Sequence, residues 1–107
     1  MDTIFALASG RGRAGVAVVR VSGPAATTVL EKLTDKPAPK NRMAAVREIW
    51  SLDQTFLIDE ALVLLFRGPG SFTGEDVLEI HLHGGPVLIS TLFAEIAYAL
   101  ILTGSKR

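Results

Sequence analysis

VLEIHLHGGPVLISTLFAEIAYALIL, residues 77–102, contains a change of period that decides the fold. Over its first seven residues the side chains alternate: Leu78, Ile80 and Leu82 fall on one face of a strand, and Val77, Glu79, His81 and His83 on the other. Gly84-Gly85-Pro86 ends the alternation, and proline suits the first turn of a helix. The next 16 residues, Val87–Leu102, are nearly apolar on every side. A bilayer-spanning helix needs about 20 apolar residues and tolerates a carboxylate such as Glu95 poorly. The segment therefore reads as a buried helix of a soluble domain.

Working back from that unit, Leu57–Phe66 includes ALVLLF, an unbroken apolar run expected of a central strand buried on both faces. Gly68-Pro69-Gly70 closes it. Arg42–Trp50 alternates more weakly and is expected to be a strand, after the loop DKPAPK at Asp35–Lys40. Ser22-Gly23-Pro24 is a helix-start signal for Ala25–Leu33. The β-branched run VAVVRV, Val16–Val21, is a strand, preceded by a Gly/Arg turn at Ser9–Gly15 and a first strand within Asp2–Ala8. The order is ββαβββα. It predicts a single α+β domain over residues 1–107, with two helices packed on a mixed sheet of about five strands.

Bulk properties narrow the function. A chain of 107 residues accommodates one domain, and 49% hydrophobic against 21% charged residues argues against disorder. Net charge is zero and the pI is about 6.7, without the basic excess that carries most stand-alone nucleic-acid binding. No cysteine is present, so disulfides and thiolate metal sites are excluded. The start lacks the features of a secretory signal, and a cytoplasmic location is expected.

Four features bear on chemistry. Gly10-Arg11-Gly12-Arg13-Ala14-Gly15 matches GxGxxG, but a dinucleotide fingerprint opens a helix, and here VAVVRV follows. The segment reads as a strand connection whose arginines help hold an anion. Arg20 stands out on an apolar strand, where a guanidinium must reach water, pair with an acid, or bind a ligand. Glu79, His81 and His83 share one strand face and admit three readings: a metal site, a solvated polar face, or a polar pocket for a small ligand. The glycines of Gly74-Glu75-Asp76 and Gly84-Gly85 bracket that strand and permit close backbone approach to a ligand. The chain contains no GxxxxGK[ST] loop, no nucleophile beside a base and no second carboxylate placed for acid–base work. It reads as a binding module with no catalytic residues of its own; a small metal-dependent enzyme using Glu79, His81 and His83 is the rival.

Two blocks, DTIFALASGRGRAGVAVVRVSGP and GPGSFTGEDVLEIHLHGGP, closely resemble the N-terminal domain of the MnmE/TrmE family of tRNA modification GTPases, and LIDEALVLLF between them extends the likeness along nearly the whole chain. The second block is the more specific; the first departs from the family in having Ser9-Gly10 where a proline-bearing turn is frequent. The resemblance implies a fold similar to the tetrahydrofolate-binding domains of one-carbon enzymes, and a constitutive homodimer. It implies binding of 5-formyltetrahydrofolate, with Arg20 and Glu79 as cofactor contacts. It further implies a parent protein that works with the flavoprotein MnmG (GidA) on the wobble uridine of tRNA, with GTP, Mg and K confined to a downstream GTPase domain. The family's PGEFT-like segment does not appear, and GSKR stands in its place, so a shortened product with an incomplete folate pocket is expected. The final helix is expected to cover the sheet with one side and meet a dimer partner or a helical domain with another.

Overall fold

A computed structural model describes residues 2–9, 15–68, 74–83 and 85–104. Its elements follow the expected order: β1 (Ile4–Leu7), β2 (Ala17–Ser22), α1 (Ala26–Thr34), β3 (Ala45–Trp50), β4 (Leu57–Phe66), β5 (Val77–Leu82) and α2 (Pro86–Leu102). The five strands form one sheet in the order β1-β2-β5-β4-β3. Within the ββαβββα order, one detail differs from expectation: every ladder is antiparallel, so the sheet is not mixed. The physical reason lies in residues 35–44. Lys32, in the last turn of α1, lies beside Gln54 at the β3–β4 turn, whereas Arg42 donates its backbone N–H to Leu65 near the far end of β4 at 2.9 Å. The connection thus carries the chain back along the sheet, and β3 starts at the end where β2 finishes.

Alternation divides the sheet into two unlike faces. Val19, Val21, Leu78, Ile80, Leu82, Val63, Leu65 and Ile49 are buried on the face that α1 and α2 cover. α1 contributes Val29, Leu30 and Leu33, and α2 contributes Leu92, Ile96, Ala99 and Leu100, at the i, i+4, i+7, i+8 spacing of one helical stripe. Full burial of each large side chain stabilises the fold by about 1.5–3 kcal/mol. The rest of α2 stays apolar but uncovered, with Val87, Tyr98, Ile101 and Leu102 exposed. β4 is not buried on both faces as its apolar run predicted: Leu62 is 39% exposed, because among the described residues no layer lies over the second face.

Two polar devices tie the ends of these elements together. Gly23 has φ +139°, and a Cβ there would lie 2.6 Å from the Cα of Thr3, so only glycine fits the turn into α1. Thr3, fully buried, accepts the N–H of Ala25 at 2.9 Å. Glu95, which lies inside an otherwise apolar helix, accepts the N–H of Leu52 at 2.8 Å and anchors α2 to the β3–β4 turn. Among the described residues no helix is long and apolar enough to cross a membrane.

Candidate functional site

The open sheet face gathers the sequence-selected residues. Arg20 and Glu79 are direct cross-strand partners in the β2–β5 ladder, although 59 positions separate them in the chain. Both Nε and Nη2 of Arg20 donate to Glu79 Oε2, at 3.3 and 2.8 Å. The other oxygen, Oε1, meets His81 Nε2 at 3.2 Å. The three side chains form a line, Arg20–Glu79–His81, in which only Arg20 is well exposed, at 43% against 19% for Glu79. Burial by itself raises the Glu79 pKa, but hydrogen bonds and charge from Arg20 and His81 outweigh it, and the carboxyl sits below its ordinary value. Glu79 is held as a carboxylate, with lone pairs left over after its two partners are served.

His83 does not join this line. Its Nδ1 lies 2.9 Å from Asp59 Oδ1, and its backbone N–H donates to Asp59 Oδ2 at 2.8 Å. Glu79, His81 and His83 therefore belong to two separate pairs, and no group of three His, Cys, Asp or Glu suited to a metal ion occurs among the described residues. The metal reading of the strand loses its geometric basis. Asp59 was not picked out by sequence reasoning. The signal was present: a carboxylate within a strand dominated by apolar residues needs a partner, and Asp59 is 13% exposed.

Beside these pairs lies a cavity of about 380 Å³, walled by Val16, Val46 and Leu62 and bordered by Glu60, His81 and His83. Arg20 and Glu79 do not line it, but His81 belongs to both, so cavity and ion pair are contiguous. Gly10–Ala14 of the GxGxxG match and Gly84 of the paired glycines lie outside the described residues; Ala17 opens β2, so Gly15 precedes a strand. Asp76 serves the scaffold, since its carboxylate accepts the Gly68 N–H at 3.0 Å and the Thr27 hydroxyl at 3.2 Å, joining β5, α1 and the end of β4.

Fold and site together define a small α+β domain, with one sheet face sealed by helices and the other carrying a fixed carboxylate, a guanidinium and an apolar hollow. A family model described as the GTP-binding protein TrmE N-terminus matches residues 3–104, and the chain belongs to that family. It is 53% identical over 89 residues to the mitochondrial 5-taurinomethyluridine-[tRNA] synthase subunit GTPB3 of Danio rerio, covering 83% of this chain and 18% of that protein. It is 51% identical over 92 residues to the tRNA modification GTPase MnmE of Roseobacter denitrificans, covering 86% of this chain and 21% of the relative. Against MnmE of Paracoccus denitrificans the identity is 50% over 107 residues, all of this chain and 24% of the relative. The chain thus spans about a fifth of the length of these relatives.

Proposed function

We propose that this domain binds a reduced, formylated folate, 5-formyltetrahydrofolate, on its open sheet face and pairs with a second copy, in the service of tRNA wobble-uridine modification by a longer parent protein. The observation that carries this reading is the meeting of Arg20 and Glu79 at 2.8 Å on a face that no helix covers. The residues fit the ligand chemically. A carboxylate held ionised accepts paired hydrogen bonds from the amino-pyrimidinone edge of a pterin, and the adjacent guanidinium clamps a carbonyl or carboxylate. The neighbouring hollow, at about 380 Å³, is at the small end for an organic ligand, in keeping with a pocket that further chain or a second copy completes.

The names of the relatives support the wider setting of tRNA modification by a GTPase; in this reading GTP, Mg and K are bound in a different domain of the parent protein. The flavoprotein MnmG and tRNA are the partners of that assembly in this reading, and the cytoplasm its compartment. Two apolar surfaces are available for the second copy: the outward side of α2, where Ile101 is 70% exposed, and the open sheet face around Val46, 59% exposed. The final helix is the proposed contact.

Calorimetric titration with 5-formyltetrahydrofolate tests the binding claim, using the wild-type chain, Arg20→Ala and Glu79→Ala. Saturable binding that each substitution weakens at least tenfold, with circular dichroism unchanged, is the expected result. Binding that survives both substitutions would remove Arg20 and Glu79 from the site. A folded wild-type chain that takes up no ligand would withdraw the folate assignment for this chain.

A further inference from the structure

We propose that the open end of the β3–β4 hairpin, with the connection that leads into it, is a contact surface for the phosphodiester backbone of RNA. The net charge of zero conceals a sorted distribution. Residues 36–47 contain Lys36, Lys40, Arg42 and Arg47 and no acid; residues 48–60 contain Glu48, Asp53, Asp59 and Glu60 and no base. Because β3 and β4 pair antiparallel, Lys40 and Arg42 lie toward the open end of the hairpin and Glu48, Asp53, Asp59 and Glu60 toward its turn, while Lys36 begins the connection that runs from one end to the other. At the open end Asn41 Oδ1 accepts the N–H of Arg67 at 2.8 Å, which brings the cation following β4 beside Lys40 and Arg42.

The bonds that order this region use main-chain atoms of the basic residues. Thr34 donates to the carbonyl of Lys36, the carbonyl of Lys40 accepts from Met43 N–H, and the N–H groups of Arg42 and Arg67 are donated to Leu65 and Asn41. Pro37 and Pro39 stiffen the intervening stretch. Lys36, Lys40, Arg42 and Arg67 are exposed, and among the described residues no ion pair engages Lys36, Lys40 or Arg67. Arg42 has its guanidinium over the Phe66 ring at 6.0 Å. Two carboxylates of the region are engaged as acceptors: Glu31 takes the Ala38 N–H, and Asp76 takes Gly68 N–H and the Thr27 hydroxyl; Asp35 adjoins Lys36 and is exposed. An ordered main chain that displays Lys36, Lys40 and Arg67 to solvent suits a repeating anion, whose binding gains from counterion release. The choice of RNA as that polyanion rests on the tRNA-modification reading above; the folate reading plays no part in it.

The experiment is fluorescence anisotropy of a labelled tRNA transcript with the 107-residue chain between about 50 and 200 mM salt. It compares wild type, Lys40→Glu with Arg67→Glu, and a charge-matched control, Lys106→Glu with Arg107→Glu. The expected result is saturation of the wild type at micromolar concentration, and a salt-dependence slope lowered by about 1.5 in the hairpin variant only. Equal weakening in both double variants would overturn the proposal, since it would reduce the effect to net charge. So would a wild type without saturation at about 100 µM in the lowest salt, or a preference for anionic phospholipid vesicles over tRNA. If charge reversal lowers the melting temperature, Lys40→Gln with Arg67→Gln carries the same comparison. Folate titration of the hairpin variant is expected to match the wild type, so a failure of either claim is seen separately from the other.

Discussion

The two faces of this sheet are made from the same strands, often from adjacent residues, and differ in almost every physical respect. On one face Val19, Val21, Leu78 and Ile80 are wholly buried under two helices. On the other, one residue along each strand, Arg20, Glu79 and His81 form a line of charge beside Val46 and Leu62, both left in solvent. The contrast concentrates stability on one side: the sealed face supplies the folding free energy, and the open face is free to hold groups that contribute little to it. A one-residue slip of β5 would exchange these roles, and it is the alternation in VLEIHLH that prevents it.

The largest effects should therefore come from the sealed face. Ile80→Ala and Leu78→Ala each remove a fully buried side chain and are expected to cost about 2–5 kcal/mol in urea denaturation. Leu62→Ala, on the neighbouring strand but in solvent, is expected to cost under about 1 kcal/mol. Equal losses at Ile80 and Leu62 would break the comparison, because they would mean that something covers the open face in solution.

An intermediate effect is expected at Glu95, where a polar group serves the sealed side. Glu95→Ala leaves the Leu52 N–H without its acceptor and releases the anchor between α2 and the β3–β4 turn, at a cost of about 1–3 kcal/mol. Hydrogen exchange at the Leu52 amide reads the local part of this directly. An amide that exchanges no faster in the variant would show that the bond does not protect it.

How much of this was legible beforehand follows from the range of each interaction. Period and β-branching are local, so all seven elements were readable, with ends displaced by a few residues. Pairing direction is not local. The antiparallel course of β3 depends on how residues 35–44 cross the sheet, a path set by contacts such as Arg42 with Leu65 that no local pattern encodes. The unbroken run ALVLLF suggested two covered faces because hydrophobicity records what a side chain tolerates, and Leu62 tolerates exposure. At the site, Arg20 and Glu79 were conspicuous as charges within apolar strands, and their registry made them partners. His83 was grouped with its strand neighbours because alternation places it on their face; Asp59, on another strand, draws it away at the strand's end.

The smallest stability effect, and the sharpest test of the division between faces, is expected at Glu79. Its folded pKa lies below the ordinary 4.5, so its contribution is fully present above that value and is lost as pH falls through the lower native value. Glu79→Gln removes the charge and keeps the shape. At neutral pH the variant should be less stable than wild type by no more than about 1 kcal/mol, the scale of a pair whose arginine stands largely in water. On acidification the wild-type carboxylate is itself neutralised, so the two melting temperatures should converge as pH falls from 4.5 through the lower native value. A gap that widens in acid would mean that the protonated carboxyl is the form the fold prefers, which would contradict the pairing with Arg20. A gap of several kcal/mol at neutral pH would make the open face a structural element and end the separation of roles. The predicted outcome, a small gap that closes in acid, leaves Glu79 as a charge maintained at little cost to folding and directed at something other than the fold.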